Sequence, residues 1–93
     1  MDKHERSQQL FDALEGKATA EGLDLIDVEV KGQAHNPIVI VYLDTPADVE
    51  GGINIDVLAL ANKWIDAILD ELITTRYTLE VSSPGGRTKR TET

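Results

Sequence analysis

The chain has 93 residues, 9 Lys/Arg against 17 Asp/Glu for a formal charge of −8, no cysteine, and only one Phe, one Trp and two Tyr. That length suits one domain with a mostly aliphatic core. The missing cysteines exclude disulfides, thiol catalysis and Cys-type zinc sites, and no run reaches the ~20 apolar residues of a membrane span.

Residues 3–21 read as a helix, with Leu10, Leu14 and Ala18 at four-residue spacing, Phe11 beside them, and Gly22 placed as a left-handed C-cap. Residues 23–31 read as a strand in which Ile26, Val28 and Val30 alternate with Asp27 and Glu29. The polar run 32–36 has hairpin length, and Pro37 opens a second strand to Asp44 whose centre, Ile38 to Leu43, is apolar on both faces. Residues 45–52 read as a loop, and Asn54 as the N-cap of a second helix ending near Leu72. On that helix Val57, Ala61, Trp64, Ile65, Ile68 and Leu72 form an apolar stripe that Leu58, Leu60 and Leu69 widen. Tyr77, Leu79 and Val81 then alternate with Thr78, Glu80 and Ser82 in a closing strand, which Pro84 and the pair Gly85-Gly86 stop.

The order is α-β-β-α-β. It predicts an α+β two-layer sandwich with both helices on one face of a three-stranded sheet, in strand order 3-1-2. Residues 1–85 form the expected domain, and 86–93 a basic tail or the start of a linker. The start Met1-Asp2-Lys3-His4-Glu5-Arg6 is charged and unlike a secretory signal, and the absence of cysteine permits a reducing cytoplasm.

Charge is uneven. Residues 1–86 hold 6 of the 9 basic and 16 of the 17 acidic side chains, a net of −10, while Arg87, Lys89 and Arg90 sit in the last seven residues. The acidic body repels phosphate backbones, and its charge either suits basic partners or only keeps the domain in solution. A KH-type RNA-binding module shares part of this element order, but its Gly-x-x-Gly clamp is missing, which leaves only the basic tail for contact with RNA. Catalytic equipment is sparse. His4 and His35 are isolated, Asp66 and Asp70 repel one another on a solvated helix surface, and Gly51-Gly52 lacks the spacings of a phosphate loop. We expect no catalytic residue, no metal and no cofactor. On the sheet, Asp27, Glu29, Thr78, Glu80 and Ser82 share one surface, which is either an ordinary solvated face or a docking face for a basic protein.

The motifs carry a resemblance. Gly22-Leu23-Asp24-Leu25-Ile26-Asp27-Val28-Glu29, Val41-Tyr42-Leu43-Asp44, Gly51-Gly52-Ile53-Asn54-Ile55-Asp56 and Tyr77-Thr78-Leu79-Glu80-Val81-Ser82-Ser83-Pro84-Gly85 follow one another as in the N-terminal domain of the ribosome maturation factor RimP family, which the chain resembles over nearly its whole length. The resemblance implies a non-enzymatic, cytoplasmic and monomeric assembly domain for the small (30S) ribosomal subunit. Such a domain is expected to dock a basic small-subunit ribosomal protein, any rRNA contact being weak. It also implies an SH3-like domain beyond the linker that residues 86–93 are expected to start. Within it, the expected partner-binding residues are Asp27, Glu29, Glu80, Ser82, Ser83, Gly85 and Arg87. After Gly85 the chain departs from the family pattern: Gly86-Arg87-Thr88-Lys89-Arg90-Thr91 replaces a hydrophobic residue and Asp-Arg-Pro-Leu, with Arg87 set against the family arginine.

Overall fold

The computed structural model describes residues 3–45 and 55–83. The elements are α1 (Lys3–Ala20), β1 (Asp24–Gln33), β2 (Asn36–Asp44), α2 (Ile55–Leu72) and β3 (Thr78–Ser82), in the expected order. The loop expected at 45–52, the Asn54 cap and the pair Gly51-Gly52 fall, apart from Thr45, outside the described residues, as does everything from Pro84 onward.

Helix α1 ends where its glycine requires. Gly22 has a φ of 75°, its N–H donates to Thr19 O at 3.0 Å, and Leu23 N–H donates to Ala18 O at 2.9 Å. This is a Schellman closure, and its accompanying apolar contact comes from Ala18 and Leu23, both buried. Gly16 does not interrupt the helix.

β1 and β2 form a tighter hairpin than the polar run suggests. Gln33 pairs with Asn36, so only Ala34 and His35 lie between them. Gly32 sits inside the ladder opposite Pro37 with a φ of 79°, a conformation that favours glycine.

The strand order corrects the sequence-based expectation. The sheet runs β1-β2-β3, not 3-1-2: β2 lies in the middle, antiparallel to β1 and parallel to β3. The composition of β2 accounts for this. A strand apolar on both faces belongs where neighbours cover both edges, whereas the outer strands hold the acids. The connection through α2 then joins β2 to its parallel neighbour, as a strand–helix–strand unit does.

One face of the sheet carries the core. Val28, Val39, Val41 and Leu43 meet Leu10, Phe11 and Leu14 of α1 and Ala61, Ile65 and Leu69 of α2 in a single buried cluster. Both helices therefore cover the same face, as expected. A register shift between Leu25 and Asp27 decides which β1 residues join them: Leu25 enters the cluster, and Ile26 is buried outside it. The alternation read from the sequence had put Ile26 there. Two residues of the α2 stripe also differ. Leu60 and Leu72 are exposed, at 58% and 40%, because the sheet and α1 reach only the Ala61–Ile65–Leu69 side.

Candidate docking surface

The strand register fixes what the helix-free face displays. Across the three strands, Asp27 aligns with Tyr42 and Ser82, Glu29 with Ile40 and Glu80, and Lys31 with Ile38 and Thr78. Residues two apart on a strand point the same way, so these three rows share the side opposite Val28, Val41 and Val81. The arrangement differs from the expected cluster of acids on adjacent strands. β2 separates β1 from β3, so Asp27 and Glu29 stand about 10 Å, two strand spacings, from the β3 row. An apolar strip of Ile38, Ile40 and Tyr42 runs between the two edges.

The face is acidic but not uniformly so. Lys31 Nζ lies 3.5 Å from Glu29 Oε2 and offsets part of its charge. Asp27 is held at the bulge, where its Oδ1 accepts the N–H of Val28 at 2.8 Å. Glu80 is exposed on β3, Ser82 is half-buried at its end, and Ser83 is exposed immediately beyond. Of the expected contact residues, the structure brings Asp27, Glu29, Glu80 and Ser82 onto one face and leaves Ser83 at its margin. Gly85 and Arg87 lie outside the described residues.

Residues 13–87 match the model of the RimP N-terminal domain family. The chain belongs to this family. It is the family of a ribosome maturation factor, associated with the small ribosomal subunit. The matched span contains β1, β2, α2 and β3 entire, and every one of the expected contact residues. Among the described residues, no helix is long and apolar enough to cross a membrane, and no group of three or more His, Asp or Glu is placed to hold a metal ion.

A second cluster escaped the sequence reading. Tyr77 Oη donates toward Asp70 Oδ1 at 2.8 Å and toward Asp66, whose Oδ1 is closer still and whose backbone carbonyl lies at 3.2 Å. The phenol is pushed well above its ordinary pKa, first by burial, then by its hydrogen bonds to Asp66 and Asp70, and last by their charges. The carboxylates that a helical wheel shows repelling one another instead share a donor from the approach to β3. The available signal was the phase of Tyr77, two residues before Leu79 and hence on the helix side, together with two acids one turn apart on α2. This cluster lines an open cleft with Asn36, Thr75 and Arg76.

Proposed function

We propose that the domain serves small-subunit assembly without catalysis or cofactor, docking a basic ribosomal protein on the sheet face opposite its helices. It acts in the cytoplasm as a monomer. The observation that carries this reading is the pair of rows Asp27–Tyr42–Ser82 and Glu29–Ile40–Glu80. Acids at both edges attract a basic client and set its orientation, and the exposed Ile38 and half-buried Tyr42 supply apolar area once it has docked, Ile40 between them being already buried. The net charge of −8 extends the attraction beyond contact range and speeds encounter. Ser82 and Ser83 offer hydroxyls at the end of β3, and Gly85 and Arg87 continue the contact along the chain. Membership of the RimP N-terminal domain family supports the small subunit as the setting.

The test is calorimetric titration of the chain with a purified basic small-subunit ribosomal protein, alongside a short single-stranded RNA. Saturable binding to the protein that weakens with salt and with the pair Glu29→Lys and Glu80→Lys is expected. Binding to the RNA alone would replace this reading with the KH-like one. Protein binding indifferent to both charge reversals would remove the sheet face from it.

A further inference from the structure

β3 is an edge strand. Among the described residues it pairs with β2 on one side and with nothing on the other. In a parallel ladder every second residue turns its N–H and C=O away from the neighbour, so the outer edge of Thr78–Ser82 presents a row of backbone groups that pair with no described strand. Beside this edge runs a groove between α2 and β3, lined by Ile55, Leu58, Ala59 and Asn62 from the helix and by Leu79, Glu80 and Val81 from the strand. Ile55 is 80% exposed, and Leu58 and Val81 are half-buried. Among the described residues that line it, Glu80 alone is charged.

We infer that an extended basic segment of the docking protein adds to the sheet as a fourth strand along β3, with apolar side chains in the groove beside Leu58. The inference rests on the docking reading above and names how the client is held. Geometry fixes the chemistry of that segment. Leu79 and Val81 face the helices, while Thr78, Glu80 and Ser82 face the open side. A strand laid alongside must alternate in phase with them. Its inward residues are apolar, to cover Leu58 and Ile55, and its outward residues are Lys or Arg, to meet Glu80. Backbone bonds supply affinity and the alternating side chains supply selectivity, as in other strand additions. A second copy of this chain fits poorly. Edge-to-edge pairing brings two Glu80 side chains together on bodies that each carry −8.

The probe is a peptide of about eight residues, an ordinary strand length, alternating valine and arginine. Its control has the same composition ordered as one apolar and one basic block. The alternating peptide is expected to bind about ten-fold tighter than the blocked one and to slow amide hydrogen exchange at Thr78–Ser82. Leu58→Gln should weaken that binding about three- to ten-fold. Ile55→Gln, at a site too exposed to matter for folding, should weaken it in the same direction. Equal affinity for the two peptides, or protection confined to the Asp27 and Glu29 side of the sheet, would overturn the inference. The ribosomal protein separates its failure from that of the docking reading. Binding that responds to Glu29→Lys but not to Leu58→Gln and Ile55→Gln leaves the docking reading standing and removes the edge. Strand addition by the peptide without any binding of the ribosomal protein keeps the edge as a site for such segments and removes the docking reading.

Discussion

The hydroxyl of Tyr77 lies 2.8 Å from Oδ1 of Asp70 and ties the approach to β3 to the last turns of α2 across seven residues of sequence. Asp66, one turn earlier, accepts from the same hydroxyl. A single O–H proton thus stands between two carboxylates that otherwise face each other through water. Tyr77→Phe keeps the ring against the core and removes that proton. The expected loss is about 1 kcal/mol, a typical net value for one hydrogen bond, or roughly 4–8 °C in Tm for a domain of this size. Thermal unfolding of the two forms at neutral pH reads it directly.

The same contact makes stability fall in alkali. Tyr77 has a folded-state pKa raised above its ordinary value of 10.0, so the folded state holds the proton longer than the unfolded chain does. The stabilisation is complete below about pH 10 and declines above it, as the unfolded chain begins to release protons that the folded one retains. Melting curves collected from neutral pH to about pH 11 should show the wild-type advantage over Tyr77→Phe shrinking once pH passes about 10. A constant difference across that range would mean that the phenol is not protected from ionisation by its neighbours.

Two glycines should respond to alanine with opposite signs. Gly16 lies within α1 on an exposed face, and a Cβ there meets nothing within 4 Å. Gly16→Ala therefore removes backbone freedom from the unfolded chain and should stabilise by about 0.5–1 kcal/mol. At Gly32 the φ of 79° is strained for any side chain, and a Cβ would stand 3.1 Å from the carbonyl oxygen of Asn36. Gly32→Ala should destabilise by about 1–2 kcal/mol, because both the angle and the contact sit inside a paired ladder. Urea unfolding midpoints compared at a common slope test the pair.

Burial on α2 sets a third contrast. Ile65 is fully buried against the sheet, and Ile65→Ala should cost about 2–5 kcal/mol through lost transfer energy and a cavity. That is a large part of what a domain of this size possesses. Leu60 is 58% exposed, and Leu60→Gln should stay within about 0.5 kcal/mol of wild type. Chemical denaturation of the two variants should separate them cleanly. Similar losses would mean that Leu60 is covered by something other than the described residues.

Leu60 and Ile65 also mark what the sequence could and could not yield. Features with local causes were legible: the four-residue spacing of Leu10, Leu14 and Ala18, the closure at Gly22, and the alternation of Leu79 and Val81 with Glu80. Features decided by distant neighbours were not. A helix with leucines on several sides does not say which side the sheet will meet. At β1, Ile26 continues the alternation of Val28 and Val30 and Leu25 does not, so periodicity points to Ile26, and only the bulge opposite β2 selects Leu25. Strand order shows in the sequence only through the two apolar faces of β2, and the pairing made by the α2 crossover completes it. That Asp27, Glu29 and Glu80 share the face opposite the helices was legible because face membership is a period-two property. Their separation by the strip of Ile38, Ile40 and Tyr42 followed from the order of strands and was missed with it. The Tyr77 cluster joins residues 11 and 7 apart through tertiary packing, beyond the reach of periodicity.

Lys31 gives the docking reading its most discriminating test. It stands on the same face as Glu29, 3.5 Å from it, and is 60% exposed. If long-range attraction of a basic protein drives encounter on this face, a cation there opposes it, and removing that cation should help. Lys31→Gln is therefore expected to speed association about two-fold at low salt, whereas Glu80→Gln should slow it by a similar factor. Neither should alter stability much, since an exposed pair of this kind contributes about 0–1 kcal/mol. Both effects should fade as ionic strength rises toward about 1 M, where the Debye length shrinks to about 3 Å. Stopped-flow association with the ribosomal protein at two salt concentrations measures all of this. Opposite signs for the two variants place the encounter on this face. Equal rates place it elsewhere on the acidic body, and a slower Lys31→Gln would mean that Lys31 itself makes a contact in the complex.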